Sequence, residues 1–207
     1  MTVIVDYGVG NLFSLKSSFA SLGVDVTVSS RKEDLQNADR IILPGVGAFG
    51  DAAEKLRASG LYETLLNEAA NGKPLLGICL GMQLLFEKSY EYGEHEGLGL
   101  IPGEIRPIAD VIPADYKIPH IGWNALDFSE NQSSLFRYIK DGDHVYFVHS
   151  FYATGCKDFT IASSEYGAPL TAAVQKGKIF GCQFHPEKSG KVGLSILKAF
   201  CEEVAEC

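Results

Sequence analysis

The sequence predicts an α/β protein: a mostly parallel central sheet flanked by helices, with extra antiparallel strands in the C-terminal half. Three observations carry this. As far as Tyr90, short β-branched runs alternate with stretches of helical period, the rhythm of a parallel sheet covered on both faces. The second half loses that rhythm, and its apolar runs read as strands joined by turns. The chain has 207 residues, 46% of them apolar, and no linker, repeat or low-complexity tract. It therefore suits one domain spanning residues 1–207.

The elements follow in order. Val3 to Asp6 is the first strand. Leu12, Leu15, Phe19 and Leu22 recur at helical spacing, and Gly23 supplies the stop. Val24 to Val28 alternates as a second strand. Asp39 to Leu43 leads into a third, ended by Pro44-Gly45. Asp51 can cap the next helix, which carries Leu56. A further helical piece holds Leu61, Leu65 and Leu66 and stops at Asn71-Gly72. Pro74 to Ile78 is the fourth strand, and Leu80 to about Tyr90 the helix after it. Residues 98–128 are rich in Gly, Pro, Ile and aromatics, without helical period. Asp143 to Phe151, Phe159 to Ser164 and Leu170 to Phe184 read as strands, with a hairpin turn at Gln175-Lys176-Gly177-Lys178. The tail, Ser189 to Glu206, reads as an amphipathic helix with Val192, Ile196, Phe200 and Val204 on one stripe.

Composition argues against several kinds of partner. The net charge is −8 and no basic run exceeds Arg31-Lys32, so neither nucleic acid nor an anionic membrane is expected. No apolar run approaches the roughly 18 residues of a membrane span. Met1 to Asp6 lacks a basic n-region, so the first apolar stretch is expected to be a strand rather than a signal peptide. The five cysteines, at 79, 156, 182, 201 and 207, are odd in number and show no C-x-x-C pair. Free thiols in a reducing compartment, the cytoplasm, are expected. No histidine pair has ligand spacing, and neither a metal nor another cofactor is expected.

One short stretch carries chemistry. Gly77-Ile78-Cys79-Leu80-Gly81 has the form of a nucleophile elbow with cysteine at its centre. Such a turn strains the central residue, and flanking glycines let neighbouring backbone pack close. The thiol then projects above the C-terminal edge of the sheet, where folds of this class place ligands. A helix N-terminus there favours thiolate over thiol. The local pattern alone also fits a buried, inert cysteine.

A cysteine nucleophile needs a base and a group that orients it. His185 ends an apolar strand just before Pro186, and Glu187 follows two residues on. In an extended segment those two side chains point the same way. That segment alone fits a surface turn equally well. His149, in the apolar run Val148 to Phe151, is the competing base and reads better as a hydrogen-bonded structural histidine. Oxyanion donors are expected from the N–H of Leu80, next after the cysteine, and from Pro44-Gly45-Val46-Gly47, which leaves the third strand at the same sheet edge. A nucleotide-binding reading of Gly8-Val9-Gly10 fails, because Phe13 stands where a third glycine belongs and Val26 where an acid does.

Together, Gly77 to Gln83, Pro44 to Gly47 and His185-Pro186-Glu187-Lys188 resemble the class I, triad-type glutamine amidotransferases, over the full chain. Within them, Asp6 to Asn11, Pro44 to Asp51, His120 to Asn124 and Tyr146 to Phe151 look like the glutaminase subunits of imidazole glycerol phosphate synthases. The resemblance implies a flavodoxin-like sheet and a Cys79-His185-Glu187 triad that hydrolyses glutamine through a thioester. It implies an oxyanion hole from Val46, Gly47 and Leu80. Gln83, Gly45, Glu91 and the backbone of Ser150 and Phe151 would bind substrate. It also implies a separate partner in a heterodimer, a (β/α)₈-barrel cyclase. The cyclase would receive the ammonia, make imidazole glycerol phosphate and aminoimidazole carboxamide ribotide, and switch on a nearly idle glutaminase. A second barrel of about 250 residues has no room in this chain. Asn11, Trp123, Tyr146 and Lys188 are the docking candidates, with core packing the alternative for Trp123. The rival readings are the glutaminase subunits of anthranilate or para-aminobenzoate synthase, which usually differ at Met82 and lack the Gly122-Trp123-Asn124 stretch. A cysteine hydrolase of the same fold acting alone is the third.

Overall fold

The computed structural model describes residues 1–131 and 133–203. Its first part alternates strand and helix, as expected except for α2: β1 (Thr2–Val5), α1 (Leu12–Ser21), β2 (Val26–Ser29), α2 (Lys32–Asn37), β3 (Arg40–Leu43), α3 (Phe49–Ala58), α4 (Tyr62–Ala70) and β4 (Leu75–Ile78). A single turn of helix, α5 (Leu80–Gln83), follows directly. Then come β5 (Phe86–Ser89), β6 (His95–Glu96), β7 (Ile101–Pro107), β8 (His120–Ala125), β9 (Asp127–Phe128), β10 (His144–His149) and β11 (Phe151–Thr154). β12 (Thr160–Glu165), β13 (Pro169–Lys176), β14 (Ile179–Cys182) and α6 (Gly190–Cys201) complete it.

The main sheet has the order β2-β1-β3-β4-β14-β13-β12-β9. Its first five strands are parallel and the rest antiparallel. The parallel part is the flavodoxin-like order 2-1-3-4-5, with β14 as the fifth strand. Successive side chains of a strand face opposite ways, so the sheet divides the core in two. Val3, Val5, Ile41, Leu43 and Leu75 pack with Leu56 and Leu65 on one side. Ile4, Ile42, Leu76 and Ile78 pack with Phe19, Phe180 and Phe200 on the other. Both faces are covered, which is why β1 and β4 are buried at every position. Beside this sheet lie the antiparallel pair β10-β8 and a second sheet, β11-β7-β5-β6.

Several local expectations hold. Gly23 ends α1 at φ 71° and Gly72 ends α4 at φ 76°. Gln175 and Lys176 pair with Phe180 and Ile179, closing the hairpin through Gly177 at φ 57°. Others are corrected. The helix expected from Leu80 to Tyr90 is one turn long, because Phe86–Ser89 pairs instead with Ile101–Ile105. The apolar run Leu84-Leu85-Phe86 suits either burial, and its strand partner lies too far along the chain for periodicity to show it. Asp51 does not cap α3; the helix starts two residues earlier, and Glu91 Oε2 accepts the Phe49 N–H at 2.6 Å. α2 was not expected. The tail helix ends at Cys201, short of the expected Glu206, with Glu202 as its C-cap and Glu203 outside the helix; Val204 lies outside the described residues.

Candidate active site

β4 runs into α5 through Cys79, which sits at φ 54°, ψ −112°. A left-handed backbone is costly for a residue with a side chain, so the surroundings must impose it. They do so by close approach. A Cβ on Gly81 would lie 1.9 Å from Leu43 O, and one on Gly77 would lie 2.6 Å from Gly81 O. The exit of β3, the end of β4 and the first turn of α5 can nest only because both positions are glycine. Gly45 serves the same contact, since a Cβ there would lie 2.6 Å from Gly81 N. The Cys79 N–H donates to Cys182 O at 2.7 Å, so β4 and β14 end level.

His185 comes three residues after Cys182, just past that edge. Its N–H donates to Tyr146 O at 2.9 Å, tying it to β10. Its Nδ1–H donates to Glu187 Oε1 at 2.8 Å, and both side chains are only 2% exposed. The segment is not extended as the spacing argument assumed. Pro186–Lys188 is a 3₁₀ turn, and the turn brings the carboxylate back to the ring. Burial pulls the imidazolium down, but hydrogen bonds to Cys79 and Glu187 outweigh it and raise His185 to about 9. Glu187 Oε2 is buried with no hydrogen-bond partner, so His185 is the carboxylate's hydrogen-bonded counter-group.

A cavity of about 280 Å³ opens on Cys79 and His185. Val46 and Gly47 line it from the β3 exit, Leu80 and Gln83 from α5, Glu91 from the loop after β5, and His149, Ser150 and Phe151 from the junction of β10 and β11. His149 is desolvated and held at about 4, neutral at ordinary pH. Its Nδ1–H donates to Phe151 O at 2.8 Å, and its Nε2 accepts from His120 Nδ1 at 3.0 Å. Both ring nitrogens are therefore occupied, as suits a structural histidine.

A buried thiol on a strained elbow, a carboxylate-held imidazole beside it and a small cavity over both are what acyl transfer through cysteine requires. The family model described as glutamine amidotransferase class-I matches residues 3–204. The chain belongs to the class-I glutamine amidotransferase family. Among its relatives, the imidazole glycerol phosphate synthase subunit HisH of Lactococcus lactis subsp. lactis (strain IL1403) is 49% identical, covering 98% of each chain. The protein of the same name from Wolinella succinogenes is 48% identical, over 98% of this chain and 99% of that one. Among solved structures, a glutamine amidotransferase crystal structure superposes with TM-score 0.74 at 20% identity, covering 96% and 98% of the two chains. The glutaminase domain of Trypanosoma brucei CTPS, with bound acivicin, gives TM-score 0.67 at 16% identity, covering 99% and 95%. These last two likenesses establish the fold. Membership makes the chain a glutamine-using enzyme with glutaminase activity.

The amidotransferase site also contains features that the sequence did not disclose. Gln183, wholly buried, places its Nε2 3.8 Å from Cys79 Sγ and accepts from Gln83 Nε2 at 3.0 Å. A glutamine two residues before a histidine gives no signal of its own. Gln83 also donates to Phe151 O at 3.3 Å, so what it has left to offer a ligand is its Oε1 acceptor. Glu91 is raised by burial, while its bond from the Phe49 N–H works the other way. Gly45 does not line the cavity; it shapes the loop beneath it.

Of the docking candidates, Trp123 is 52% exposed, which removes the core-packing alternative. It pairs with Tyr146 across β8 and β10, ring edge to face at 6.0 Å, and Lys188 Nζ lies 5.9 Å over the Tyr146 ring. Asn11 spends its side-chain oxygen capping α1, at 3.3 Å from Ser14 N. Ile121, two residues from Trp123 on the same strand face, is 56% exposed and was not singled out. Among the described residues, no helix is long and apolar enough to cross a membrane and no group of His, Cys, Asp or Glu is placed to hold a metal.

Proposed function

We propose that this chain is the single-domain, cytoplasmic glutaminase subunit of an imidazole glycerol phosphate synthase. The observation that carries the reading is the convergence of Cys79, His185 and the Val46-Gly47 loop on one cavity, within a chain whose full-length relatives carry that name. Cys79 Sγ attacks the side-chain amide carbon of glutamine, forming a C–S bond. N–H groups at Val46, Gly47 and Leu80 receive the oxyanion. His185, protonated and held by Glu187, gives its proton to the departing nitrogen, and ammonia leaves. His185 then takes a proton from water, which attacks the thioester; the C–S bond breaks and glutamate departs. Gln83, Glu91 and the Ser150-Phe151 backbone hold the amino-acid end. The exposed Trp123-Tyr146-Lys188 surface receives a (β/α)₈ cyclase as a heterodimer. The cyclase uses the ammonia to make imidazole glycerol phosphate and aminoimidazole carboxamide ribotide. The exposed Val46 loop is the element through which docking reaches the oxyanion position.

The test is glutamate release from glutamine by the purified chain, alone and with a cognate cyclase subunit and its ribotide ligand. A low rate that rises by orders of magnitude with the liganded cyclase is expected. A full rate alone, unmoved by the cyclase, would leave Cys79 as nucleophile and overturn the assignment to this synthase.

A further inference from the structure

Gln183 is a buried polar side chain beside the sulfur that the proposed mechanism leaves unused. We infer that it is a further catalytic residue, a side-chain N–H donor aimed at Cys79 Sγ. This deepens the reading above and rests on Cys79 being the nucleophile.

The argument turns on which end of the amide faces the sulfur. Phe151 O is a backbone carbonyl and can only accept. Gln83 therefore turns Nε2 toward it, at 3.3 Å. The same Nε2 lies 3.0 Å from the Gln183 amide, so the atom of Gln183 facing it is the acceptor, Oε1. That leaves Gln183 Nε2 directed at Cys79 Sγ, at 3.8 Å. A flipped Gln183 would set donor against donor at Gln83 and lone pair against lone pair at a Cys79 thiolate. His149 fixes the far end of the chain by donating to the same Phe151 carbonyl at 2.8 Å.

The position is rigid as well as oriented. Gln183 follows β14 directly, its N–H donates to Ala172 O at 2.8 Å, and no part of the residue is exposed. An N–H fixed in a dry site strengthens when its acceptor becomes charged. It would stabilise sulfur as the attacking thiolate and again as the thiolate leaving group when the thioester breaks. His185 is occupied with proton transfer in both halves of the cycle, to the departing nitrogen and then from the attacking water, whereas the Gln183 amide keeps its protons throughout.

The experiment measures the pH dependence of Cys79 alkylation by iodoacetamide in the full chain, read by mass spectrometry on the Cys79 peptide. Gln183→Met keeps the volume and removes the donor. Gln183→Glu keeps the acceptor toward Gln83 and sets an oxygen against the sulfur. The other titratable groups facing that sulfur, His185 and Tyr7, are unchanged in both. Both variants are expected to alkylate about tenfold or more slowly at neutral pH, with the profile displaced to higher pH, in line with the worth of a hydrogen bond to a charged group. Should Gln183→Met fail to fold, Gln183→Glu decides. Folded variants with the wild-type profile would overturn the role of Gln183 and leave the glutaminase reading standing. A wild-type chain that retains glutaminase activity after complete Cys79 alkylation would overturn both.

Discussion

Two histidines face one cavity from neighbouring strand ends and titrate in opposite directions. His185 is raised to about 9 and His149 is lowered to about 4, though both are nearly sealed from solvent. Burial acts on both in the same sense, disfavouring the charged ring. What differs is the company each keeps. His185 has a carboxylate on one nitrogen and the Cys79 sulfur beside it. His149 has a backbone carbonyl on one nitrogen and a second imidazole, His120, on the other. A carboxylate and a sulfur can hold a proton in place; a carbonyl and a neutral ring can only orient. Under the proposed mechanism the difference separates two roles: an acid that can also be a base, and a brace.

The sharpest test of that contrast is Cys79→Ala. Glutamate release is expected to fall to background, and His185 to titrate well below 9 once the sulfur is gone, as followed by NMR of the ring. An unmoved His185 would mean that the sulfur contributes nothing to its charge. Next in size is Glu187→Gln, which keeps the shape and removes the charge. Turnover should drop roughly 10⁴-fold with the fold intact, because a neutral amide neither fixes the tautomer nor stabilises the imidazolium. A smaller loss would demote the pair to packing. His149→Asn comes third. An amide can keep the donor to Phe151 O, so KM for glutamine should rise several-fold, about the worth of one perturbed neutral hydrogen bond, while kcat changes less. A kcat collapse as deep as that of Glu187→Gln would make His149 the base and reverse the comparison.

The smallest effect is on stability against pH, and its sign differs for the two rings. His185 is raised, so its contribution is complete below the ordinary histidine value near 6.5 and disappears as pH climbs through about 9. His149 is depressed, so the unfolded chain takes a proton that the folded chain refuses, and stability falls from 6.5 down toward 4. A plot of Tm against pH should slope away on both sides of neutrality. In His149→Asn the acid-side slope should flatten while the alkaline one remains. An unchanged acid limb would remove His149 as its cause.

The parallel half was legible because each element announces itself within a few residues: a β-branched run, a helical stripe, a glycine stop. The elbow was equally local, since two glycines around a cysteine encode the close approach to Leu43 O and Met82 that the fold requires. What stayed hidden depends on partners distant in sequence. Residues 86–89 became a strand because of residues 101–105, and α3 took its cap from Glu91 rather than Asp51. Gln183 was invisible for the same reason, as its meaning comes from Gln83, a hundred residues earlier. His185 and Glu187 were paired on a geometric assumption that the 3₁₀ turn replaces, although the contact itself is present.

Glu91 closes a thermodynamic cycle. Among the described residues, one carboxylate oxygen is the only side-chain acceptor at the N-terminus of α3, and the same residue borders the cavity. A cationic amine held there by Glu91, as proposed, would compete with the Phe49 amide for it. Whatever the amine gains by winning is what the first turn of α3 loses, and the reverse holds by linkage. Occupancy of the cavity thus becomes readable at a distance, as faster hydrogen exchange at a single backbone amide, with no change in the shape of the chain.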